Sequence, residues 1–104
     1  MVKIERTEPM VIELPVLYSK THYSVRAIVR ERYIEEQKGL CYYCKGELTK
    51  KPPIKIRKLK VDKKHMPKHF YKHPIHLHHC HVTDLTLGAV HAHCNAVLWQ
   101  YHGE

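Results

Sequence analysis

The chain has 104 residues, a formal net charge of +8, eleven histidines and four cysteines, which leaves room for one domain with one modest core and makes a metal or disulfide staple an expected part of it. No apolar run approaches the roughly 20 residues that a bilayer-spanning helix needs, and the opening Met1–Arg6 leads into no apolar segment of a secretory signal. The expected setting is therefore cytoplasmic, a host's cytoplasm if the chain is phage-encoded, where a Cys-x-x-Cys pair is more often a metal or redox site than part of a disulfide framework.

Taken in chain order, Pro9–Tyr18 is rich in β-branched and apolar residues but is cut by Pro15, so it reads as an edge strand or an extended arm. From Thr21 to Lys38 the apolar positions Val25, Ile28, Val29 and Tyr33 fall at helical spacing, and Gly39 is placed to end the helix. Residues 1–38 are thus an N-terminal arm and helix. The turn Cys41-Tyr42-Tyr43-Cys44, with Gly46 close behind, has the shape of a zinc knuckle. A basic loop, 50–74, comes next. Ten of the eighteen Lys and Arg residues lie between Lys50 and Lys72, with Asp62 the single acid among them. Pro52-Pro53 marks the stretch as irregular, and the alternation of Ile54, Ile56, Leu59 and Val61 suggests one short strand within it. Clustered cations displace the counterions condensed on nucleic acid, so Lys55, Arg57, Lys58, Lys60, Lys63, Lys64 and Lys68 are the expected contacts to DNA phosphates.

Alternation returns at Ile75-His76-Leu77-His78-His79, breaks at a turn near Thr83-Asp84, and resumes over Leu85–Val90, which together predict a β-hairpin. A last helix starts near Ala92, with Val97, Leu98 and Trp99 as its core residues. The whole is a single α+β domain, 1–104, whose portion 39–104 is stapled by metal. Zinc takes four thiolate or imidazole ligands in a tetrahedron, and two closely spaced pairs supply them with little strain. Cys41/Cys44 and His91/Cys94 are such pairs, with Cys80 or His93 as alternatives to His91. Three thiolates and an imidazole leave no open position, so this zinc is structural.

Gly39–Cys44, then His76–His81, then Leu87–Ala96 resemble the recombination endonuclease VII branch of the HNH (His-Me finger) nucleases over roughly the C-terminal two-thirds of the chain. The resemblance implies a ββα-metal core and hydrolysis of DNA phosphodiester bonds, by nicking, restriction-type cutting or junction resolution. It implies His79 as the general base, His78 in the place of the family's metal-binding Asp, Asn95 as second ligand of a catalytic divalent ion, and His81 near the phosphate. His91 stands where the family has its third cysteine. A neutral imidazole suits the activation of water at cellular pH, and a divalent ion neutralises charge at the phosphate. A histidine replacing the carboxylate favours manganese, cobalt, nickel or zinc over magnesium. Adjacent strand residues point to opposite faces, so His78 and His79 need a local distortion or a division of labour between two flanks. DNA is the expected partner, and a homodimer is left open. The rival expectation is a non-catalytic zinc-stabilised module that binds nucleic acid through the same basic loop.

Overall fold

The computed structural model describes residues 12–64 and 66–103. The beginning of the expected arm, Pro9–Val11, and His65 of the basic loop lie outside the described residues. The rest of the arm forms no full strand. Leu17 makes one antiparallel bridge to Leu85, and a short 3-10 turn, Tyr18–Lys20, comes at once. The bridge is still well fastened. Val16 N–H donates to Thr86 Oγ1 (3.0 Å), Thr86 N–H to Val16 O (2.9 Å) and Tyr18 N–H to Asp84 O (2.7 Å).

Helix α1 spans Tyr23–Glu36 and starts at His22, whose Nδ1 accepts from Ser24 N–H and stands in for the usual hydroxyl or carboxylate cap. Val29 and Tyr33 face the core. The expected helix ran two residues further. Both Lys38 (φ 57°) and Gly39 (φ 77°) are left-handed, and Gly39 N–H reaches back to Ile34 O at 2.8 Å. This is a six-to-one helix closure, so Lys38 takes the left-handed position that glycine was expected to hold.

Beyond the knuckle the structure corrects one expectation. The short strand expected in the basic loop is a one-turn helix, α2, Ile54–Arg57, entered through Pro53. Proline's fixed φ favours helix entry, and the alternation misleads because Ile56 is buried while Ile54 is 60% exposed. Beyond α2 the segment is joined to the last helix: Asp62 and Gln100 exchange two hydrogen bonds of 2.7 Å, and Tyr101 O–H donates to Lys60 O.

Strands β1 (Ile75–His79) and β2 (Thr86–His91) form the expected antiparallel hairpin. Its register runs from Ile75 opposite His91 to His78 opposite Gly88, then jumps to His79 opposite Thr86. Leu87 is thereby left without a partner, so the irregularity falls beside the His78-His79 pair but adds its extra residue to β2. Helix α3 (Ala92–His102) continues from β2 with no intervening loop and ends at the left-handed Gly103. Val29 and Tyr33 of α1, Ala89 and Val90 of β2, and Cys94 and Leu98 of α3 meet in one core, joined by Leu48 and Ile56. Fully burying one such aliphatic side chain stabilises by about 1.5–3 kcal/mol. Trp99 was expected in this core, yet it is 38% exposed. It sits on the side of α3 that faces the basic segment, where it helps to line an open cavity.

Candidate metal centre and histidine site

The knuckle is shaped by backbone bonds. Cys41 N–H donates to Gly46 O (2.7 Å), Lys45 N–H to Cys41 O (3.0 Å), and Lys45 takes a positive φ of 66° to close the turn. Tyr42 N–H donates to Ala89 O at 2.9 Å, which ties the turn to β2. The two cysteines thus come to stand beside the end of β2, where His91 and the first turn of α3 supply the other pair. The ligand atoms of Cys41, Cys44, His91 and Cys94 all lie within 4.8 Å of one another. In tetrahedral zinc, bonds of about 2.3 Å to sulfur and 2.0–2.1 Å to nitrogen place sulfur and nitrogen about 3.6 Å apart. His91 Nδ1 stands 3.4 Å from Cys44 Sγ and 3.6 Å from Cys94 Sγ.

The imidazole is oriented for this role. His91 Nε2 faces the carbonyl oxygens of Glu47 (2.9 Å) and Lys50 (2.7 Å), which can only accept. The ring proton is therefore on Nε2, leaving the Nδ1 lone pair toward the sulfurs, the arrangement of a metal-bound histidine with its outer hydrogen bond. The Cys94 thiol donates to Cys41, which holds Cys41 well below the usual thiol range, at about 4, while the same contact and burial push Cys94 up. Burial also raises Cys44. Three sulfurs this close and this buried cannot all ionise unless a cation joins them. The group fits a structural metal such as zinc. His93 is otherwise engaged, with Nε2 donating to Leu59 O (2.9 Å) and Nδ1 against Tyr71 O–H (2.9 Å).

The paired histidines of β1 part company. His78 is 1% exposed and lies beneath Tyr42, with ring centroids 6.0 Å apart. His79 goes to the segment before α1: its ring stacks on Tyr18 at 3.9 Å and 11°, and the Arg26 guanidinium lies over the same tyrosine, 4.0 Å from its ring centroid. His81 lies 4.7 Å from His79. Burial and then the neighbouring His81 push His79 below the ordinary imidazole range, against the opposing pull of Asp84. Asp84 is in turn lowered, first by the hydroxyl of Ser19, which donates to it at 2.7 Å.

Asn95, in the first turns of α3, meets His76. His76 Nε2 donates to Phe70 O (2.8 Å), so its Nδ1 is an acceptor for the Asn95 amide N–H (3.1 Å). That bond turns Asn95 Oδ1 away from His76. Burial lowers His76 below the ordinary range as well. His76 was legible as a partner only through the two-residue alternation that puts it on the face of His78; Tyr18 gave no sequence signal. Among the described residues, the Cys41, Cys44, His91 and Cys94 group is the one gathering of three or more His, Cys, Asp or Glu ligand atoms. Lys55, Arg57, Lys58, Lys60, Lys63, Lys64 and Lys68 are all exposed. No helix among the described residues is long and apolar enough to cross a membrane. Comparison with models of known families, with curated proteins and with solved structures finds no match for this chain.

Proposed function

We propose that this protein is a metal-dependent DNA endonuclease of the His-Me finger type, with a ββα-metal core formed by β1, β2 and α3 and stapled by structural zinc. The observation that carries the reading is the joint between hairpin and helix: Asn95 comes directly after the metal ligand Cys94, so zinc fixes the helix that bears it against the hairpin that bears His79. His79, kept neutral by burial and by His81, accepts a proton from the attacking water. Tyr18 and Arg26 hold its ring in place. His81 contacts the scissile phosphate, and the lysines from Lys55 to Lys68 grip the flanking backbone. A divalent ion, when bound, neutralises charge on the phosphate. His78 and Asn95 would hold it through an imidazole nitrogen and an amide oxygen, a donor set that favours manganese, cobalt or nickel over magnesium.

One observation favours a second reading, a non-catalytic zinc-stabilised module that binds nucleic acid. His78 is packed under Tyr42, and Asn95 pairs with His76. A supercoiled-plasmid nicking assay on zinc-loaded protein separates the two. With manganese, nickel or cobalt added, the parent is expected to nick and His79→Ala to lose at least about 100-fold in rate, the usual lower scale of a general base. DNA binding without nicking in any of these metals or in magnesium would establish the module instead.

A further inference from the structure

Two large aromatic side chains near Asn95 take no part in the chemistry above. Phe70, in the 3-10 turn Phe70–Lys72, and Trp99, on α3, line an open cavity of about 290 Å³ together with Pro67, His81 and Asn95. Its size is near the lower end of the range of about 300–1,000 Å³ seen for small-molecule sites, enough for one small planar group. Phe70 is a fixed wall: it meets His76 edge-on at 4.5 Å and 71°, and its carbonyl accepts the His76 hydrogen bond. Trp99 is exposed although its helix neighbours Val97 and Leu98 are buried. Phe70 and Pro67 also line a second cavity, of about 260 Å³, together with Lys63, Lys68 and Lys72. Among the described residues, no acidic side chain lines either one.

An aromatic slot lined also by imidazole and amide, sharing Phe70 and Pro67 with a cationic hollow, matches the two halves of a nucleotide. We propose that the slot between Phe70 and Trp99 takes one unstacked nucleobase while the adjoining lysines hold the phosphate backbone, so that the preferred substrate is single-stranded or locally unpaired DNA. Bases inside a regular duplex are stacked and out of reach, whereas an unpaired base gains by stacking on an aromatic ring. The inference rests on the reading of DNA as the ligand but not on hydrolysis, and it places the captured base beside Asn95, next to the proposed scissile phosphate.

Trp99 is the chain's single tryptophan, so its fluorescence reports on the slot directly. Zinc-loaded protein without a second added metal is titrated with a short thymidine oligonucleotide, an abasic strand with the same number of phosphates, a fully paired duplex, and that duplex carrying a one-base bulge. Quenching by the single strand and the bulged duplex, but not by the abasic strand or the paired duplex, is expected. Phe70→Leu, which keeps apolar volume but loses the ring, is expected to weaken single-strand binding by about tenfold while leaving duplex binding unchanged. Equal quenching by the abasic strand or the paired duplex, or binding of all four without quenching, overturns the slot and leaves the nuclease reading standing. Quenching as expected in a protein that never nicks does the reverse.

Discussion

Thr86 joins three parts of the molecule through one hydroxyl. Tyr33 O–H donates to Thr86 O (3.2 Å), the Thr86 hydroxyl can then donate to the Tyr33 oxygen (2.9 Å), and Val16 N–H donates to Thr86 Oγ1 (3.0 Å). The residue is 2% exposed, so water cannot replace a lost partner. Thr86→Val keeps the shape and removes the hydroxyl, stranding the Val16 amide and half of the Tyr33 bonding. A loss of about 1–3 kcal/mol is expected in urea unfolding of the zinc-loaded protein, with Thr86→Ser close to wild type. Equal stability of Thr86→Val and wild type would mean that the bonds made by this hydroxyl contribute nothing to the fold. The histidines illustrate the same limit on reading residues singly. Which of eleven imidazoles meets Asn95 or stacks on Tyr18 depends on contacts between distant parts of the chain, and only the His91/Cys94 spacing declared its partner locally.

At the scale of elements, β2 is pressed from one side by the knuckle and by the end of α1. Gln37 spans them, its amide donating to Ala89 O (2.9 Å) and accepting from Ala89 N–H (2.9 Å). The close approach requires Gly88: a Cβ there would meet Gln37 Oε1 at 2.7 Å and Tyr42 Cδ1 at 2.9 Å. Gly88→Ala is expected to cost about 1–3 kcal/mol as an overpacked site, read as a lowered melting temperature at constant zinc content. An unchanged melting temperature would show that Tyr42 and Gln37 give way freely. Helix α1, the hairpin and α3 were legible in the sequence because their signals are local: helical spacing around Val29 and Tyr33 with Gly39 close behind, alternation through Leu77 and Leu87, and the apolar run Val97–Trp99. The helix α2 and the exposed side of Trp99 were not, since in both cases an apolar residue's neighbours, absent from the local pattern, decide whether it is buried.

For the molecule as a whole, the Cys41, Cys44, His91 and Cys94 group joins the ends of the core in place of a large apolar interior. Metal binding at such a site is folding free energy. Removing zinc with a chelator at neutral pH is expected to abolish the cooperative thermal transition and near-ultraviolet circular dichroism, and restoring zinc to recover both; a chelated protein that still melts cooperatively would make the metal an accessory. His91→Ala is expected to act in the same direction, because it removes a ligand together with the anchor to the Glu47 and Lys50 carbonyls.

Cys44 and His91 are 47 positions apart, and between them run the basic segment and all of β1. Joined by a metal, that stretch is a closed ring of chain, and a ring can be cut once without coming apart. A protease that nicks the exposed lysines between α2 and β1 therefore severs the polypeptide but not the particle: the two fragments migrate as one until a chelator opens the clasp.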